Sequence, residues 1–93
     1  LINARLWQDN WERQRNAQAE WDARQRKELQ GFKDLVNSAK QWKQANLLRE
    51  YLSAVPDPDS DWLTWAQHKI NWLDPFVKAE DEWLIKTDPN DFL

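Results

Sequence analysis

His68 is the only histidine in this 93-residue chain, and there is no cysteine. Without thiols there are no disulfides, thiolate metal sites or thiol nucleophiles. At helical spacing His68 meets Thr64 and Trp72 four residues away and Trp65 and Asn71 three residues away. Its own helix therefore offers no carboxylate for a metal site or proton relay, and His68 reads as a surface or interface side chain. Glu80-Asp81-Glu82 gathers three carboxylates but lacks the alternating oxygen-ligand spacing of a Ca²⁺ loop; it reads as the acidic surface of a helix. The single glycine, Gly31, is too little to build a phosphate-cradling loop. These residues point away from an enzyme, and no catalytic residue, cofactor, metal or small-molecule substrate is expected.

Tryptophan is the unusual resource, with eight in the chain. Indole faces bind cations and stack on nucleobases, so a ligand cage is one reading of the later ones. Packing is the reading adopted, because a short helical module has little room for an aliphatic core and each Trp can bury roughly 150–250 Å². Trp42, Trp62, Trp65, Trp72 and Trp83, with Leu48, Leu52 and Leu73, are assigned to packing. Trp7, Trp11 and Trp21 are different, because they lie on an N-terminal helix with too few partners in the chain to cover them. With Leu29 and Phe32 they are assigned to an oligomer or partner interface, where Trp is a frequent hot spot. Arg13, Arg15, Arg24, Arg26 and Lys27 interleave with these aromatics as in nucleic-acid binders. Residues 11–33 nevertheless hold six basic and four acidic side chains, and phosphate binding rests on unopposed positive charge. Nucleic-acid contact through this face is kept as the alternative.

The elements that must position these residues are helical. Four prolines and one glycine leave long stretches rich in Ala, Gln, Glu, Lys, Arg and Leu, which favour helix over sheet, so the fold class is all-α. Residues 1–40 read as one long amphipathic helix: at 100° per residue Trp7, Trp11, Trp21, Leu29, Phe32, Val36 and Ala39 fall within a sector of about 80°. Gln14, Gln18 and Gln25 fill the seam at coiled-coil-like steps. Asp9–Arg13, Glu20–Arg24 and Asp22–Arg26 are acid-first i,i+4 pairs that suit a solvated helix. A helix of this length measures about 60 Å, so part of it must meet a partner or project.

From Lys40 the apolar direction rotates, with Trp42, Ala45, Leu48, Leu52 and Val55 together. Nothing before Val55 breaks a helix, so continuity or a mild kink is expected through residues 38–43. Residues 41–86 read as a compact module with helices at about 41–55, 58–73 and 75–86. Val55-Pro56-Asp57-Pro58 ends the first of these. Asp57, or failing that Ser60, should cap the second, with Pro58 in its first turn. Asp74-Pro75 repeats that logic for the third, placing Phe76, Val77, Glu80, Trp83 and Leu84 on one side. Residues 87–93 read as a turn and tail, with a short acidic-hydrophobic docking motif as the lesser reading.

Net charge is −3, yet residues 1–55 carry +3 and residues 56–93 carry −6. Two such parts are expected to face different surroundings or to attract one another, within the chain or between chains. The sequence has no apolar run long enough for a membrane span, and Leu1-Ile2-Asn3-Ala4-Arg5 lacks the pattern of a signal peptide; a cytoplasmic location away from membranes is expected. The chain opens on Leu1 rather than Met, which suggests a piece of a longer protein.

The segments Gln41-Trp42-Lys43-Gln44-Ala45-Asn46-Leu47-Leu48-Arg49-Glu50-Tyr51-Leu52 and Trp62-Leu63-Thr64-Trp65-Ala66, with Leu73-Asp74-Pro75, carry a resemblance. Residues 40–76 resemble the C-terminal helical region of uncharacterised bacterial proteins that have a helix-turn-helix-like segment near the N-terminus; residues 8–35 share only composition. In that family a Trp-x-x-Ala-x-x-Leu-Arg segment precedes a Trp-Leu-x-Trp-Ala helix ending in Leu-Asp-Pro. The resemblance implies structural roles for Trp42, Ala45, Leu48, Tyr51, Leu52, Trp62, Trp65, Ala66 and Leu73, and a cap at Asp74 and Pro75. It also implies DNA association through a region absent from this chain. The chain departs from the family at Asn71-Trp72, where Asp-Arg is usual, and by continuing 17 residues past Phe76. The expected function is a non-catalytic oligomerisation or protein–protein interaction module, homo-oligomeric or bound to another protein.

Overall fold

A computed structural model describes the backbone of residues 2–93 and the side chains of residues 14–93. The chain is all-α: α1 spans Ile2–Ala54, α2 spans Ser60–Leu73, and a 3-10 turn spans Pro89–Phe92, with no strand among the described residues. The 53 residues of α1 include no Pro and only Gly31. Gly31 keeps a negative φ, and α1 runs unbroken through residues 38–43. The rotation of the apolar direction near Lys40 is thus a change of face on one helix.

Leu1–Asp34 and Leu35–Leu93 form two units, so the expected division at 40/41 lies several residues too late. Val36 and Asn37, near the start of the second unit, are half-buried. The first unit is helix alone. The second joins the last turns of α1 to α2 and the turns that follow. Leu52 lines one crevice with Ala66 and Ile70, while Leu48 lines another with Leu73, so α2 returns along α1. Its buried apolar core is small: Ala45, Ala66, Ile70 and Leu73.

The link between helices differs from expectation at one residue. Asp59, rather than Asp57 or Ser60, caps α2, its Oδ2 accepting the Trp62 amide at 3.1 Å. Pro58 disfavours α geometry at the residue before it, and Asp57 adopts φ 44°, a left-handed conformation that Asp tolerates. The chain reverses there, and α2 starts three residues later, at Ser60.

The expected third helix at 75–86 does not form. Residues 75–77 and 82–86 are turns, and Lys78 takes φ 51°. Two tertiary ties compete with helix growth. The Ala79 amide donates to the Asn71 carbonyl at 3.1 Å, which draws the chain back over the end of α2. Asp81 is buried and accepts from Lys69. Tertiary ties of this kind override a modest intrinsic propensity.

What replaces the helix is a turn repeated every seven residues. The Oδ1 atoms of Asp74, Asp81 and Asp88 accept the amides of Phe76, Trp83 and Asn90, each at 2.9 Å. The same three aspartates accept at their carbonyls from Val77, Leu84 and Asp91, at 3.2, 3.2 and 3.0 Å. This is the Asx turn, in which a short carboxylate substitutes for a backbone acceptor. Residues 87–93 are correspondingly more than a tail: Gln41 Nε2 donates to Asn90 Oδ1 at 2.7 Å, and Phe92 meets Trp72 edge-on at 5.8 Å.

Candidate interaction site

On α1 within the first unit, Trp21, Leu29 and Phe32 are 58%, 53% and 64% exposed. They share one face by spacing, so this part of the expected stripe is an uncovered apolar row, while Val36 farther along it is half-buried. Trp7, Trp11 and Arg13 lie outside the residues whose side chains are described. Arg15, Arg24, Arg26 and Lys27 are exposed, and among the described residues none of them pairs with a carboxylate. The expected Glu20–Arg24 and Asp22–Arg26 ion pairs are therefore not formed; Gln18 Nε2 donates to Asp22 Oδ1 instead, at 3.1 Å. Exposed pairs gain little over hydration and restrain two long side chains. Asp9–Arg13 lies outside the described side chains.

In the second unit the chemistry gathers around two buried aspartates. Arg49 Nη1 lies 2.7 Å from Asp74 Oδ2, and its other amine donates to Asn71 Oδ1 at 3.3 Å. Arg49 belongs to the basic first part of the sequence and Asp74 to the acidic last part, so at this point the charge asymmetry is answered within the chain. Burial works to raise the Asp74 carboxyl, but the Phe76 amide, the Arg49 guanidinium and the Val77 amide outweigh it and hold the group below its ordinary value. Asp81 Oδ2 takes Lys69 Nζ at 2.6 Å and lies 3.6 Å from His68 Nε2. The Lys69 bond, opposed by burial and helped by the Trp83 amide, holds Asp81 below its ordinary value too. Both carboxylates stay ionised and direct their oxygens to the chain itself, which is anchoring chemistry.

These pairs correct two expectations. Glu80-Asp81-Glu82 is not a helix surface, since its middle member is buried and ion-paired while its neighbours are exposed. His68 does have a nearby carboxylate, supplied by the following turn rather than by its own helix. The sequence signal for both was the Asp74, Asp81, Asp88 spacing.

The tryptophans assigned to packing divide. Trp72, Leu48 and Leu52 are half-buried and Leu73 is buried. Trp42 and Trp62 are exposed, Trp65 is 57% exposed and Trp83 81% exposed. For Trp83 the packing assignment fails because the helix meant to turn it inward is absent; the third position of an Asx turn directs it out. Trp65 lines three crevices instead of filling one. A cavity of about 350 Å³ is lined by Leu48, Trp65, Trp72, Leu73, Leu84 and Phe92, with Gln44 and Lys69 at its polar margin.

No family of known proteins, no curated protein and no solved structure matches the chain. No described helix is long and apolar enough to cross a membrane. Among the described residues no group of three or more His, Asp or Glu side chains is placed to share a metal ion.

Proposed function

We propose that the chain is a non-catalytic helical interaction module that associates through the apolar stripe of α1, with a second copy of itself or another protein. The observation that carries this reading is the exposure of Trp21, Leu29 and Phe32 along one face. Burying apolar surface is worth roughly 25 cal/mol per Å², and a row of large side chains on one helical face is the arrangement by which helices pair. The Asx turns and ion pairs tie the second unit to itself, and the stripe belongs to the first unit. From the resemblance of residues 40–76, the module is the C-terminal part of a larger bacterial protein associated with DNA through another region, acting in the cytoplasm. Sedimentation velocity of the parent chain and of a Trp21→Ala/Phe32→Ala variant tests it. Association that survives high salt and is lost in the variant supports the reading; equal sedimentation at every concentration refutes self-association through the stripe.

One observation favours a second reading. Arg15, Arg24, Arg26 and Lys27 are exposed without carboxylate partners among the described residues, as nucleic-acid contact by this face requires. Such binding weakens steeply as salt rises, whereas apolar association does not. Titrating a fluorescent duplex at two salt concentrations separates the two.

A further inference from the structure

We infer that the groove between Trp65 on α2 and Trp83 on the second Asx turn receives an arginine side chain from a partner protein. The groove, about 490 Å³, is lined by Trp65, His68, Lys69, Asp81, Glu82 and Trp83, with Thr64 at its edge. Both indoles are exposed, Trp83 the more so. The Trp65 face already accepts a cation: Lys69 Nζ lies 5.9 Å from its ring centroid.

The charges in the groove select the guest. Lys69 is committed to Asp81 at 2.6 Å, and that pair is neutral as a unit. Glu82 is exposed and makes no ion pair among the described residues. One uncompensated carboxylate beside two indoles is a receptor for an organic cation. Residues 56–93, which contain the whole lining, carry −6, a field that favours cations and disfavours anions. Among protein cations the guanidinium fits best, because it stacks flat on aromatic faces while its in-plane N–H groups reach a carboxylate; a Lys ammonium is a strongly hydrated point charge. The turn also holds its geometry: Asp81 fixes the Trp83 amide at 2.9 Å and is itself buried, so little order is lost on binding.

The site lies on different elements from the α1 stripe and does not depend on association through it. The test uses the full chain and a short capped peptide with a single arginine, followed by indole N–H resonances assigned with Trp65→Phe and Trp83→Phe. The expected result is saturable shifts of the Trp65 and Trp83 signals, with Trp21 unmoved. A matched citrulline peptide, neutral and nearly isosteric, should leave all three in place. Trp83→Ala and Glu82→Gln should each weaken binding roughly fivefold, the scale of one cation–π or exposed charge contact. Glu82→Gln keeps the test valid if Trp83→Ala disturbs the turn. Absence of saturable shifts, equal response to citrulline, or Trp21 shifting in parallel would overturn the inference.

Discussion

Asp74 and Asp81 hold the second unit together at the scale of single residues, and they do so as ions. Because each carboxyl is lowered from 3.8 in the folded chain, each binds a proton more weakly when folded than when unfolded. The stability they contribute is complete above the unfolded value and is lost as pH falls through the folded one, so the loss belongs to the acid limb below about pH 4. Urea midpoints should be level between neutral pH and pH 5 and fall below that limb, and Asp74→Asn with Asp81→Asn should flatten the fall. Arg49→Ala leaves a buried carboxylate without its partner and should cost roughly 1–3 kcal/mol. Gly31 lies inside α1 with nothing within 4 Å of where a Cβ would stand. Gly31→Ala should therefore stabilise the helix by about 0.5–1 kcal/mol, read as a higher melting temperature by circular dichroism.

At the scale of elements, helix was legible wherever the sequence lacks breakers. Continuity of α1 through residues 38–43 follows from the absence of Pro and Gly between Phe32 and Val55, and the stop before Pro56 follows from backbone sterics. The stretch after Leu73 was legible only in part. Asp74-Pro75 does open a turn, but a cap says where a helix can begin and not whether it will propagate. The decision lay with Lys69 and Asn71, which reach Asp81 and Ala79 from α2, and helical periodicity carries no information about such contacts. The seven-residue recurrence of Asp was visible and is the signature of the repeated turn. Substitution separates the two descriptions of Trp83. As an exposed turn residue, Trp83→Ala should change stability by no more than about 0.5 kcal/mol. Leu73→Ala, at a buried position, should cost roughly 2–4 kcal/mol; equal losses in urea unfolding would return Trp83 to the core.

At the scale of the molecule, the stripe and the turns answer different halves of the composition. A net charge of −3 conceals a basic first part and an acidic last part, and Arg49–Asp74 shows one place where they meet within the chain. The exposed row at Trp21, Leu29 and Phe32 has no such answer among the described residues of its own unit. Its existence could be read from spacing alone, since large apolar residues at these steps fall on one face of a helix. The partner proposed for it could not, because side chains of another chain leave no mark in this sequence. The candidate groove at Trp65 and Trp83 was hidden for the opposite reason: its two walls come from α2 and from a turn that periodicity assigned to helix.

The central claim, that the α1 stripe is an association surface, is tested most directly by light-scattering mass across a wide concentration range at low and high salt. A dimer or larger species that persists in high salt is the expected result and assigns the Trp21 row to its seam. A single monomer mass at every concentration and both salts would contradict self-association through this face.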